Sequence, residues 1–319
     1  MKRVLVTGAT GFVGRTLCGA LADAGYHVRA ALRSPGPVPR GVKETAITGA
    51  IDSSTDWSDA LAGTDAVIHA AARAHVLNDS PNNRELYMEV NARGTARLAR
   101  AARACGIGRF VFLSSIKVNG ESTTDEPFRA TDAPHPQDAY GASKLRAEQE
   151  LQDIEGLDTV IVRPPLVYGP GVKANFLRLL QWADRERPLP IAAVRNRRSL
   201  VSSWNLCDLL VNTVDNPAAP GRVWLVSDGD DLSTPDLACR MAAALSRRSR
   251  LFAVPVPALR AIGALTGRSA EVMRLCGSLV VDCTPTRAEL AWQPPVSVDE
   301  ALSRTAQWYR SSSNAVGVV

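Results

Sequence analysis

Lysine is scarce in this chain of 319 residues: five of its 37 basic residues are lysines, and the arginines are scattered along the whole length. There is no low-complexity basic tail and no interleaving of aromatics with cations. The net charge of +5 therefore does not read as a nucleic-acid surface. The densest groups, Arg195, Arg197 and Arg198, then Arg247, Arg248 and Arg250, suit a compact anion such as a diphosphate better. Cysteine is sparse as well. Cys18, Cys105, Cys207, Cys239, Cys276 and Cys283 include no C-x-x-C pair and have no histidine-rich stretch to partner them. This excludes a disulfide framework and calls for no metal; they read as reduced, buried thiols. Long apolar runs are missing too. The best candidate, 261 to 281, is broken by Arg268, Glu271 and Arg274, and the apolar start at Val4 is interrupted by Gly8 and Gly11. A membrane span and a signal peptide are excluded on this pattern, and a cytoplasmic protein without membrane insertion is expected.

With 45% hydrophobic and 22% charged residues, the chain has the composition of a globular protein of about two domains. Residues 3 to 7 form a short apolar run, residues 12 to 24 carry helical spacing through Val13, Leu17 and Leu21, and His27 to Leu32 supplies a second strand. That is a βαβ unit. Strands follow at Asp65–His69, Arg109–Leu113 and Asp158–Val162, separated by helices near 82 to 105 and 138 to 154. The alternation predicts an α/β fold: a Rossmann-like, doubly wound parallel sheet with a smaller C-terminal substrate-binding domain. Beyond Pro164-Pro165 prolines cut the chain into short elements, yet Val223–Val226 still reads as a sheet strand. The boundaries expected are a dinucleotide-binding domain over 1–169 with returning segments near 199–228, and a second domain from 170–198 and 229–319.

Gly8-Ala9-Thr10-Gly11-Phe12-Val13-Gly14 lies between the first strand and the first helix. A pyrophosphate there meets the free amides and positive dipole of a helix N-terminus, and side chains would block its approach. The end of the second strand separates NAD from NADP, because a carboxylate there holds the ribose hydroxyls and repels a 2′-phosphate. The residues present are Leu32 and Arg33. An arginine pairs with phosphate or lies over the adenine, so NAD or NADP is expected, with NADP favoured.

Tyr140 and Lys144 stand at i and i+4, on one helix face. An ammonium beside the phenol, with the charge of an oxidised nicotinamide, is expected to lower the tyrosine's pKa from about 10 toward neutrality. The phenol then exchanges a proton with a substrate hydroxyl or ketone. Ser114 and Ser115 close the strand that ends at Leu113, at the edge where open α/β sheets bind ligands.

The spacing G-x-x-G-x-x-G resembles the extended short-chain dehydrogenase/reductase family. Several segments extend the likeness over residues 1 to about 210. Asp65 to Ala72 resembles D-x-V-x-H-x-A-A, Asn91-Ala92-Arg93-Gly94-Thr95 resembles N-x-x-G-T, and Arg163-Pro164 through Tyr168-Gly169-Pro170 resembles R-P-x-x-V-Y-G-P. Ser115-Ile116-Lys117-Val118-Asn119-Gly120 matches the serine and V-Y-G motif, with Asn for Tyr. The resemblance implies Ser115, Tyr140 and Lys144 as catalytic residues. It also implies cofactor contacts at Gly8, Gly11, Phe12, Val13, Gly14, Arg33, Ile51, Ala70, Ala71, Ala72 and Asn91, with Ala50 where the family offers the adenine an acid. For a UDP-sugar it implies Ser115, Lys117, Tyr140, Asn175, Phe176, Arg198 and Arg274, and Leu166 replaces a usual asparagine.

The narrower likeness is to nucleotide-sugar 4-epimerases and acetamido-sugar 4-keto-reductases, the segments Ala71–His75 and Ser114–Glu121 resembling the reductase branch. It implies redox chemistry at C4 of a UDP-hexose or UDP-acetamido-hexose in bacterial cell-surface polysaccharide synthesis, and a homodimer. A 4,6-dehydratase fits less well, since Ile116-Lys117 stands where that subfamily has Asp-Glu. A non-catalytic dinucleotide sensor or scaffold is the reading from another class, and such proteins usually lose the tyrosine or lysine.

Overall fold

The computed structural model describes residues 1–74 and 81–316, the side chains at 81 and 313–316 excepted. A parallel sheet of seven strands runs through the first two-thirds, in the order β3-β2-β1-β4-β5-β6-β9. These strands are β1 (Arg3–Thr7), β2 (His27–Leu32), β3 (Val42–Ile47), β4 (Ala66–His69), β5 (Arg109–Leu113), β6 (Asp158–Arg163) and β9 (Arg222–Leu225). The central strands are apolar throughout because both faces are covered. On one face, Val4, Val6, Ile68, Val111 and Val160 pack under α1 (Phe12–Asp23) and α7 (Ser203–Asp215). On the other, Leu5, Val67, Phe110, Phe112 and Ile161 meet α4 (Gly94–Ala104) and α5 (Ala139–Gln152). The strand order reverses between β1 and β4, which opens a crevice beyond their carboxyl ends.

The helix expected near 82 to 105 is divided. It begins as α3 (Pro81–Tyr87), widens into a π-helical segment at Met88–Arg93, and continues as α4. The short α2 (Ser58–Leu61) leads into β4. A two-stranded parallel pair, β7 (Leu166–Tyr168) and β8 (Leu200–Ser202), stands beside the main sheet. Beyond it α6 (Ala174–Asp184), α8 (Thr234–Ala244) and α12 (Val298–Val316) close a second core around Tyr168, Phe176, Leu180, Met241 and Leu302. The remaining helices are α9 (Val256–Leu265), α10 (Ser269–Cys276) and α11 (Thr284–Glu289). Among the described residues, no helix is long and apolar enough to cross a membrane.

Candidate active site

The glycine turn explains its own composition. Gly8 has φ of 69°, and a Cβ there would lie 2.7 Å from the Ala71 amide nitrogen. A Cβ on Gly14 would sit 2.0 Å from the Gly8 carbonyl oxygen. Gly11 turns the chain back through a 2.9 Å bond from its amide to the Gly8 carbonyl, and no side chain caps α1 behind it. The amide-lined hollow beside β1 is thus kept open by three missing side chains. This fits a pyrophosphate at a helix N-terminus. Phe12 directs its ring into the second core, against the group that holds Tyr168 and Phe176. Arg33 lies exposed just past β2, without an ion pair or side-chain hydrogen bond among the described residues. Ile51 is half-buried and packs under α4, where a Cβ on Gly94 would be 2.8 Å from its Cγ2.

Below the loop Ala70–Ala72 lies a buried relay. Thr95 donates to the Asn91 carbonyl at 2.7 Å, so its oxygen accepts from His69 Nε2 at 2.9 Å. His69 Nδ1 then accepts from Thr7 at 2.7 Å, and the Thr7 oxygen accepts from the Ala71 amide at 3.2 Å. Burial first, and the Lys144 cation second, hold His69 to a pKa of about 3, so the ring is neutral and its tautomer fixed. Asn91, expected at the cofactor, has its amide engaged within the protein. Its Oδ1 accepts from the Arg73 amide at 2.8 Å, while Nδ2 donates to the Arg73 carbonyl and to Ser143 Oγ, each at 3.0 Å. It braces the loop after β4 against α5. His75, the last residue of the reductase-like segment, lies outside the described residues.

Asp138 caps α5 by accepting from the Gly141 amide at 2.7 Å. Tyr140 stands in the first turn, its ring 6.1 Å from that of Tyr87 and edge-on to it. Lys144 is 1% exposed. Its Nζ donates to the Leu113 carbonyl at 2.7 Å and lies 4.2 Å from the centre of the Phe112 ring. Burial lowers its pKa to about 7 against the pull of Glu148. The phenol's expected shift calls on the nicotinamide charge as well as the ammonium, and the protein alone shifts it the other way. Burial, then the nearby Asp138 and Tyr87, push Tyr140 well above the ordinary tyrosine value. The ammonium is turned toward the β5 carbonyl, and among the described residues no cation offsets the loss of water around the phenol.

Ser115 starts a 3₁₀ turn at Ile116–Val118 and accepts from the Lys117 amide at 3.3 Å. Lys117, expected near the sugar, binds Asp138 at 2.5 Å and Glu121 at 2.6 Å. Its cation is thereby spent on tying the serine loop to the cap of the tyrosine helix. A network that the sequence reading missed holds the same loop from beneath. Arg163 bonds both oxygens of Glu148, at 3.0 and 2.5 Å, and donates to Asn119 Oδ1 at 2.9 Å. Glu148 also accepts from Ser114, and Asn119 Nδ2 donates to the Arg129 carbonyl at 2.8 Å. Asn in place of the motif's tyrosine is therefore a working part of this network. The available signal was Glu148 itself, one turn beyond Lys144 on the same helix face.

Of the expected substrate residues, Arg198 and Arg274 come together, Arg198 Nη1 donating to the Arg274 and Gly277 carbonyls at 3.0 Å each. Burial leads in holding the Arg198 guanidinium below its usual range. Asn175 is exposed in the first turn of α6, and Phe176 stacks on Tyr168 at 5.2 Å between ring centres. The Phe176 ring belongs to the second core.

The model of the NAD dependent epimerase/dehydratase family matches residues 4–226. The UDP-glucose 4-epimerase of Vibrio cholerae is 42% identical over 320 residues, 98% of this chain and 97% of that protein. The N-acetyl-α-D-glucosaminyl-diphospho-ditrans,octacis-undecaprenol 4-epimerase of Escherichia coli O157:H7 is 26% identical, over 96% of this chain and 94% of that one. Among solved structures, the UDP-N-acetylglucosamine 4-epimerase of Bacillus cereus superposes with a TM-score of 0.78 at 19% identity, covering 97% of this chain and all (100%) of the other. The sheet order, glycine hollow, paired tyrosine and lysine, and matches over nearly the whole length lead to one conclusion: the chain belongs to the NAD-dependent epimerase/dehydratase family and is an enzyme of the extended short-chain dehydrogenase/reductase type.

Proposed function

We propose that the enzyme acts at C4 of a UDP-hexose or UDP-acetamido-hexose, as a 4-epimerase or 4-keto-reductase in the making of surface polysaccharide sugars. The observation that carries this reading is the placing of Tyr140 and Lys144 on one face of α5, beside Ser115 at the carboxyl end of β5. The Vibrio cholerae relative, a UDP-glucose 4-epimerase by name, supports it. Residues 1–169 with the returning segment near 199–228 hold the dinucleotide, and 170–198 with 229–319 hold the nucleotide sugar, its diphosphate against Arg198 and Arg274.

When bound, the nicotinamide supplies the hydride acceptor or donor for C4. Tyr140 holds the proton that moves to or from the C4 oxygen, donating it to a ketone in one direction and taking it from a hydroxyl in the other. Ser115 donates to the same oxygen and orients it. Lys144, one turn along the same helix face, would contact the nicotinamide ribose. Arg33 admits a 2′-phosphate, so NADP is accepted beside NAD.

The test is a panel of UDP-sugars and UDP-4-keto sugars, with the absorbance of the reduced cofactor followed for reduction of the keto sugars and the sugar products separated by chromatography for epimerisation, which leaves no net change in the cofactor. Turnover of at least one sugar is expected. Cofactor binding without turnover of any sugar on the panel overturns the assignment. For the cofactor, Arg33→Asp should weaken NADP binding far more than NAD binding, and equal losses would remove Arg33 from that role.

A further inference from the structure

The hairpin of α9 and α10 carries apolar surface that nothing among the described residues covers. Of the large apolar side chains exposed among the described residues, Phe252, Ile262, Leu265, Met273 and Leu275 fall within this one stretch. Leu265 is 88% exposed and Ile262 55%. Only Gly263 is buried in α9, and nothing is buried in α10. Ala258, Ile262 and Leu265 recur at i, i+4 and i+7 and form one outward stripe. The hairpin is nonetheless a built unit, because a Cβ on Gly263 would stand 2.7 Å from Val272 Cγ2, a closeness only glycine permits.

Its charges indicate what covers the stripe. Between 252 and 277 the ionisable side chains that carry charge at neutral pH are Arg260, Arg268, Arg274 and Glu271. Glu271 is bound to Arg178 at 3.2 Å, and no carboxylate among the described residues pairs with the three arginines. An outward apolar stripe on a hairpin of net positive charge, whose arginines have no carboxylate partners among the described residues, is the complement of an anionic bilayer surface. A helix of ten residues spans about 15 Å, half the thickness of a bilayer core, so the element suits lying at an interface and not crossing it. Arg274 adjoins Arg198, which places this surface at the edge of the substrate side.

We propose that the α9–α10 hairpin docks on anionic phospholipid, with Ile262 and Leu265 at the acyl boundary and Arg268 among the headgroups. The full-length protein is floated with vesicles of phosphatidylglycerol and phosphatidylcholine, and with phosphatidylcholine alone. Binding to the anionic vesicles is expected to exceed binding to the neutral ones and to fall with salt. Ile262→Asp with Leu265→Asp should abolish it, and Arg268→Glu should weaken it roughly tenfold or more. Unchanged melting temperature and cofactor binding establish that the variants are folded. The proposal fails if wild type shows no preference for anionic vesicles, or if the double variant floats as wild type does. It also fails if the protein does not float and the double variant instead converts a dimer to a monomer, which makes a second copy the occupant.

Discussion

At Tyr140 the structure separates two roles that one phenol can play. A phenol held protonated by burial is a proton donor to a ketone, whereas removing its proton from a substrate hydroxyl needs the extra positive charge of the oxidised nicotinamide. Tyr140→Phe should therefore lower turnover by about 10² to 10⁴-fold with cofactor saturating, and Ser115→Ala by less, since the serine orients the oxygen without moving a proton. A phenylalanine variant within about fivefold of wild type would assign the proton to another group. Lys144 invites a different measurement. Its pKa is about 7 in the folded protein against 10.5 ordinarily, so between these values the unfolded chain binds the proton that the native state has released. Native stability gains from this group as pH rises from about 7 to 10.5, and below about 7 the buried cation is a full cost. Lys144→Met should raise the melting temperature of the cofactor-free protein most at pH below 7, with the advantage shrinking toward pH 10. A gain that does not change with pH would show that the ammonium is not desolvated there.

Among the elements, the serine loop is held at three places: Ser114 by Glu148, Asn119 by Arg163, and Lys117 by Asp138. Glu148 and Arg163 are 2% and 4% exposed, so their ion pair has little water to replace a lost partner. Glu148→Gln should cost about 3 to 5 kcal/mol by leaving the Arg163 charge uncompensated. Replacing both, Glu148→Met with Arg163→Met, should restore most of that stability, because apolar pairs of similar volume often match buried ion pairs. Turnover should stay low in the double variant, since Ser114 and Asn119 have then lost the groups that fix the loop around Ser115. Recovery of turnover in step with melting temperature would confine the network to stability. These contacts were not legible in the sequence, because they join residues far apart in the chain through the ends of β5, α5 and β6. The placing of Tyr140 and Lys144 on one helix face was legible, because the two are related by helical period alone.

The molecule as a whole was readable where parallel strands are buried on both faces. β1, β2, β4, β5, β6 and β9 appear as short apolar runs and fall within a residue of their expected bounds. β3 escaped notice because it forms the sheet edge, and Lys43, Glu44 and Thr45 break its apolar run. The π segment escaped because a 3.6-residue period cannot register the extra residue that turns Asn91 inward. Assembly is the property the fold leaves to test, and we propose that two copies pair through α4 and α5 across a two-fold axis. Arg93, Arg97, Arg100 and Arg103 form an exposed stripe along α4 at helical spacing. Glu85 and Glu89 answer Arg93, and Glu150 answers both Arg100 and Arg146. Among the described residues, Arg97 and Arg103 donate only to backbone carbonyls, at Thr55 and Glu155, with Asp56 near Arg97. The face is therefore net positive, and a two-fold axis sets it against itself. From about 0.1 M to about 1 M salt the screening length falls from about 10 to about 3 Å, which weakens that repulsion more than it weakens apolar contact. Sedimentation equilibrium at micromolar protein should accordingly show a homodimer that tightens with salt, and Arg97→Glu should tighten it at low salt. A dimer that loosens as salt rises must be built on another face, and a monomer at every salt concentration removes the assembly altogether.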